Sequence, residues 1–270
     1  MRRLLALLLA CDPAPETPDD SAAPTASPSL PMPAATNTGA RPLPAPSRSV
    51  AGPALAGTPP TPPVSPVPQD SPRRPPEGFV DLRVTLPTAC FAAGYASADN
   101  FTGAPLPGYA APATWMLAEP AAALARAQDS LATAGLVLLI FDAYRPRRAS
   151  EAMVAWAERT GQAALMQDGY IARRSGHNHG HTIDLGLARR KRCEPAGWLD
   201  MGTPWDTLDE RSHTMNATGL ARENRLTLLR AMRGAGFREY TKEWWHFSYP
   251  LPGTRPRDVP HGAHEPDEAP

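Results

Sequence analysis

Of the 34 prolines in this chain, 20 lie between residues 12 and 76, a stretch with no Phe, Trp or Tyr. Runs such as TPPTPPVSPVPQDSPRRPP bury too little apolar surface to offset the entropy of an ordered chain. Residues 12–76 therefore read as an extended, disordered linker, reaching on the order of 200 Å if fully stretched at polyproline rise. Whatever folds in these 270 residues folds after it. The segment 77–252 has the length of one domain with an adequate core. The end of the chain, 253–270, is polar and Pro-rich and is expected to fray as a flexible tail. Formal net charge is zero, which offers no basic surface for nucleic acid.

The N-terminus, MRRLLALLLACDPAPE, opens with two arginines, continues as an apolar run from Leu4 to Ala10 and reaches Cys11. The run is too short to span a bilayer as a mature helix. A basic start, a short apolar core and a small residue fit a secretory signal over 1–11. LLAC also looks like a bacterial lipobox, with Cys11 as the lipidated residue. A lipid anchor ahead of a Pro-rich tether predicts an exported domain held at a bacterial membrane, facing the periplasm or the cell exterior. Export leaves Cys90 and Cys193 in an oxidising compartment, free to form one disulfide. Sequence does not show whether they are close enough to pair.

Periodicity places the remaining elements. Val80, Leu82, Val84 and Leu86 alternate with Asp81, Arg83 and Thr85, the pattern of a half-buried strand. Residues 95–109, YASADNFTGAPLPGY, are loop-like. A helix runs from about Glu119 to Ala134, with Pro120 in its first turn and Gly135 after its end. LVLLIF (136–141) reads as a buried central strand that delivers DAYRP (142–146) to its end, and a helix follows through ASEAMVAWAERTG. TIDLGL alternates again, a third helix covers roughly 219–233, and the aromatic EWWHFSY is strand-like. Helices and strands mix without a βαβ repeat. The expected fold class is α+β, a single domain with a central, largely antiparallel sheet flanked by helices.

Against that frame SGHNHGHTIDLGL (175–187) stands out, because three of the chain's seven histidines and one aspartate fall within eight residues. Alternation puts these side chains in mixed orientations, so not all can bind one ion. Gly176 and Gly180 suggest a turn across which His177 and Asp184 converge. Catalytic zinc takes three protein ligands and keeps one position open. The third has to come from elsewhere, and EWWH (243–246) offers His246 with Glu243 three residues before it. A glutamate near the metal but not on it is the base a zinc hydrolase needs.

SGHNHGHTIDL resembles the S-x-H-x(6)-D pattern of the D-alanyl-D-alanine dipeptidases, the VanX-like branch of the M15 zinc peptidases, and EWWHF resembles their E-x-x-H element. The similarity extends to YASADNFTG, FDAYRPRRA, MGTPWDTLDERSH and ENRLTLLRAMRGAGFREY, nearly all of 90–249. It implies the M15 (hedgehog/D,D-peptidase-like) fold, and one Zn²⁺ ion bound by His177, Asp184 and His246. It implies that Glu243 is the general base and acid and that Arg145 stabilises the oxyanion, as a fixed cation does where charge develops. It further implies a small dipeptide substrate recognised by Asp206, Tyr95 and Ser175, with Asp142 orienting the Arg145 guanidinium.

Other readings stay open on the residues alone. Arg145 could serve a structural salt bridge with Asp142, and Asp206 a turn. His179, His181 and His213 read as rim or surface residues, His261 and His264 as part of the polar tail, and Trp244 and Trp245 as core and pocket wall. Within enzymes, an M15 carboxypeptidase or endopeptidase trimming peptidoglycan fits the same motifs. A non-catalytic zinc domain that binds cell wall is the alternative outside enzymes. Oligomeric state has no signature here.

Overall fold

The computed structural model describes residues 74–111 and 113–261. The signal-like start with Cys11, the Pro-rich stretch up to residue 73 and the end of the tail with His264 lie outside the described residues. In chain order the elements are β1 (Phe79–Asp81), α1 (Leu82–Thr85), β2 (Cys90–Phe91), β3 (Trp115–Leu117), α2 (Ala118–Leu131) and β4 (Leu136–Asp142). There follow α3 (Arg147–Arg159), α4 (Ala164–Gln167), β5 (Thr182–Arg189), α5 (Gly219–Gly234), β6 (Arg238–Tyr240) and β7 (Glu243–Ser248).

Five strands form the main sheet in the order β2-β4-β5-β7-β6, and β1 pairs with β3 in a separate antiparallel ribbon. In the main sheet only β2 runs parallel to its neighbour; the β4–β5, β5–β7 and β6–β7 pairings are antiparallel. The central strands are the apolar ones, as burial on both faces requires: β4 is buried from Val137 to Asp142 and β5 from Thr182 to Ala188. Ile183, Leu185 and Leu187 join Leu124 of α2 and Leu228 and Met232 of α5 in the main core. Alternation then leaves Asp184 and Gly186 on the opposite face, with their partners across β7 and β4.

One irregularity positions the chemistry. The β4–β5 register shifts between Ile140 and Asp142, so Asp142 rather than Phe141 lies opposite Asp184. Bulges of this kind re-aim side chains, and this one brings a second carboxylate to the end of the sheet that carries Asp184, where it meets Arg145. The neighbouring pair, Asp184 opposite His246, follows from unbroken β5–β7 pairing.

Two expectations are corrected. The alternating stretch 80–86 is not one strand. Asp81 ends β1, and its carboxylate accepts a hydrogen bond from Arg83 N at 2.9 Å, an N-cap that starts the single turn of α1. Leu82 and Leu86, four apart, are both buried while Val84 is 80% exposed, so helical spacing sets what is buried. Nor does the chain fray from residue 253. Residues 253–261 form a strap along the 144–148 segment, ending on fully buried His261. Its polar composition hid this because the strap is held by hydrogen bonds: Arg257 N to Asn178 O at 2.8 Å, Val259 N to Tyr144 Oη at 2.7 Å, and His261 N to Gly108 O at 2.7 Å. Cys90 on β2 and Cys193 in the loop after β5 are joined in a disulfide.

Candidate active site

His177 stands on a 3₁₀ turn, Gly176–His179, capped by Ser175 Oγ, which accepts from His177 N at 3.3 Å. Glycine at 176 is a packing requirement, since a Cβ there would meet Thr182 Oγ1 at 2.2 Å. Gly180 closes the turn with φ of 77°, the left-handed conformation glycine reaches without strain. The turn is zipped to the end of β4. Arg145 N donates to His177 O at 3.2 Å, and Asn178 Nδ2 donates to Arg145 O at 2.9 Å.

His177 Nδ1 donates to Ala143 O at 2.6 Å, which fixes the tautomer and leaves Nε2 with a bare lone pair. That Nε2 lies 3.2 Å from Asp184 Oδ1 and 3.4 Å from His246 Nδ1. His246 Nδ1 is 2.9 Å from the same Asp184 oxygen. His177, Asp184 and His246 thus each bring one donor atom to a common point, all within 4.8 Å of one another. Two imidazole nitrogens and a carboxylate oxygen, with one imidazole oriented by a backbone carbonyl, are a donor set that suits a catalytic zinc ion. Charge agrees: the carboxyls of Asp142, Asp184, Asp206 and Glu243 gather around one buried guanidinium, Arg145.

Glu243 is the first residue of β7, its Oε2 3.6 Å from His246 Nδ1. Burial pushes its carboxyl well above the usual carboxylate range, the Asp184 charge adds to this, and Arg145 opposes it. Arg145 Nε and Nη2 both bind Asp142 Oδ2, at 3.0 and 2.9 Å, and Nη2 is 3.5 Å from Asp184 Oδ2. The salt bridge with Asp142 exists, and it holds the guanidinium against the His177–Asp184–His246 cluster rather than away from it. The cation also sits 5.0 Å from the centre of the Tyr95 ring. On the far side of Asp142, Tyr109 Oη donates to Oδ1 at 2.6 Å.

Asp206 reaches the site on a left-handed turn, φ 60°, which aspartate tolerates better than most residues. Its Oδ2 accepts from Tyr95 Oη at 2.8 Å. Burial raises its carboxyl well above the ordinary range, and the Asp184 charge raises it further. Among the described residues it has no ion-pair partner, which leaves a buried acid matched to a positive group from outside. Tyr95, Ser175, Asp206, Glu243 and His246 all line one cavity of about 260 Å³, together with Arg145 and Asp184. The residues singled out in the sequence, apart from Cys11, are therefore brought together; Asp142 stands one layer behind the wall.

Tyr109 and Asn178 carry no mark of their roles in the sequence. Asn178 lies inside the histidine-rich motif, where the histidines are the stronger signal. Tyr109 closes a Gly/Pro-rich loop, and nothing local shows that the loop folds back onto β4. His213 bonds Tyr170 Oη through Nε2 at 2.9 Å, as a surface hydrogen-bonding residue should. His179 and His181 pair with each other off the cavity. Trp245 lines the cavity wall and Trp244 is core.

The Peptidase M15 family profile, described as D-ala-D-ala dipeptidase, matches residues 76–261. A D-alanyl-D-alanine dipeptidase of Enterococcus faecalis (strain ATCC 700802 / V583) is 36% identical over 195 residues, covering 66% of this chain and 95% of the relative. One from Enterococcus faecium is 34% identical over 186 residues, covering 63% and 90%. One from Streptomyces coelicolor is 36% identical over 171 residues, covering 58% and 83%.

Proposed function

Because the chain belongs to the Peptidase M15 family, we propose that it is a zinc-dependent dipeptidase that hydrolyses D-Ala-D-Ala to two molecules of D-alanine. The observation that carries this reading is the convergence of His177, Asp184 and His246 beside Glu243 and Arg145, in the same small cavity as the Asp206–Tyr95 pair. His177, Asp184 and His246 would hold the zinc ion, which would supply Lewis-acid polarisation of the scissile carbonyl and a water made nucleophilic near neutral pH. Glu243 takes the proton of the attacking water and passes it to the leaving amine, from its place beside but not on the three-residue cluster. Arg145, fixed by Asp142, faces the developing oxyanion, where a preorganised cation is most effective. Asp206 accepts the substrate ammonium, with Tyr95 Oη orienting the carboxylate.

The cavity favours a free dipeptide over a peptidoglycan stem. An acid that binds an ammonium next to the reacting centre leaves room for one residue before the scissile bond. The test is to incubate the zinc-loaded full chain with D-Ala-D-Ala and with a D-Ala-D-Ala-terminated muropeptide. D-alanine release from the dipeptide alone is expected. No release from the dipeptide would sink the reading, and release from the muropeptide would move the chain to the carboxypeptidases.

The same reading extends to location and domain layout. A catalytic domain beginning near residue 77 follows a Pro-rich tether on lipidated Cys11, outside the cytoplasm. The basic-then-apolar start supports it, and so does the Cys90–Cys193 disulfide, a bond that persists in oxidising compartments. Labelled fatty acid should enter the wild-type chain and not Cys11→Ala; equal labelling would rule out this anchor.

A further inference from the structure

A free dipeptide carries an ammonium and a carboxylate, and Asp206 with Tyr95 answers only the first. Two arginines line the cavity, Arg145 and Arg174. Arg145 is already assigned to the oxyanion and is held in place for it: Asp142 binds it through two nitrogens, Asp184 lies 3.5 Å from Nη2, and Nη1 rests on Met153 Sδ at 3.3 Å. A carboxylate bound there would occupy the place of the developing oxyanion.

Arg174 is different. It is solvent-exposed, it lines the cavity, and it has no hydrogen-bond or ion-pair partner among the described residues. Its neighbour Arg173 is turned away to α3, where Nη2 meets Glu158 Oε1 at 2.6 Å. Two adjacent arginines thus part company, one tied to a helix and one left at the mouth of the site. The next residue is Ser175, whose Oγ already accepts from His177 N, so its hydroxyl proton remains to be donated. A guanidinium fork and a donating hydroxyl lining the same cavity are together complementary to a carboxylate.

We infer that Arg174, assisted by Ser175 Oγ, binds the C-terminal carboxylate of the substrate and makes a free C-terminus a requirement. This rests on the dipeptidase reading and adds to it the residue that limits the leaving side to one amino acid. Arg174 is a specificity residue, with no part in bond-breaking. Its exposure keeps the pairing at the lower end for charge-assisted hydrogen bonds, worth about tenfold in affinity.

Steady-state kinetics of the zinc-loaded full chain test this, comparing wild type with Arg174→Gln and Arg174→Lys. D-Ala-D-Ala serves as substrate and its C-terminal amide as a competing ligand. For the glutamine variant KM for the dipeptide should rise about tenfold with kcat changed less than about twofold, and lysine should recover part of the loss. The inhibition constant of the amide should be about the same for all three proteins. A structural role would instead lower kcat and weaken both ligands alike. An unchanged KM in Arg174→Gln, or an equal loss for dipeptide and amide, overturns the assignment. Failure of the wild type to release D-alanine overturns the dipeptidase reading on which it stands.

Discussion

Glu243 and His246 occupy one short strand but meet the cluster differently: His246 Nδ1 points at Asp184 Oδ1, while the Glu243 carboxylate stays 3.6 Å from that nitrogen. A glutamate that acts as base without binding metal should be removable without loss of the ion. Glu243→Ala should keep its zinc by elemental analysis while kcat falls roughly a thousandfold; a variant that stays active would show that the base is elsewhere. Asp206→Asn tests the ammonium site separately. KM for the dipeptide should rise at least about tenfold, with zinc content unchanged. These residues were legible in the sequence because each belongs to a short motif of polar side chains in a fixed order. Tyr109 and Asn178 were not. Both act by holding Asp142 and the Arg145 backbone, and a hydrogen bond to a distant partner leaves no local pattern.

Among the elements, the strap over 253–261 carries the most weight for its length. It binds the backbone on both sides of Arg145: Arg147 N donates to Arg257 O at 3.1 Å, and His261 Nε2 donates to Tyr144 O at 2.9 Å. The Asp258 carboxylate also takes hydrogen bonds from Arg148 N and Nε, at 2.9 and 3.2 Å. Ending the chain at Pro252 should lower Tm by roughly 10 °C, from several lost hydrogen bonds at about 1 kcal/mol each. Activity should fall with it, because Arg145 loses its support. A truncated chain of unchanged Tm would mean that the strap merely decorates the surface.

The strap also predicts a pH dependence. Burial holds the His261 imidazole down at about 4, below the ordinary value of 6.5. The unfolded chain therefore takes up this proton as pH falls below 6.5, whereas the folded protein refuses it until about pH 4, so stability drops through that window. The effect is on the order of 3 kcal/mol at most. His261→Gln keeps a donor for Tyr144 O and removes the titration, so its loss of Tm between pH 7 and pH 5 should be smaller than that of wild type. Parallel losses would show that His261 does not contribute. Polar composition made this element look like a loose tail, whereas α2, β4 and α5 were legible because apolar spacing reports helices and strands that bury a face.

At the scale of the whole molecule, a disulfide spans a long stretch of chain and the proposed metal would span another. The disulfide joins residues 103 apart, a separation at which removing the constraint costs about 3–5 kcal/mol in the chain-entropy picture. Cys90→Ala with Cys193→Ala should therefore lower Tm by roughly 10 °C while leaving the pH profile of turnover in place. The proposed metal would be the second cross-link. Chelation should abolish activity and lower Tm, and added Zn²⁺ should restore both, since an ion bound only by the folded chain stabilises it by mass action. A chelated protein of unaltered Tm would place the ion outside the His177–Asp184–His246 cluster.

What the sequence by itself determined was local: which segments are helix or strand, which polar residues cluster in motifs, and in what order those motifs occur. These follow from backbone periodicity and short-range chemistry, which a reader meets within a few residues. Tertiary structure alone decided which groups meet. His177 is seven residues from Asp184 but His246 is 62 residues beyond it, and they converge only because β5 pairs with β7 in one register. The bulge that sets Asp142 opposite Asp184, the disulfide and the strap beneath Arg145 depend likewise on pairings between distant strands and loops. Their physical reason is the shared burial and mutual hydrogen bonding of the whole fold, which no single stretch of sequence contains.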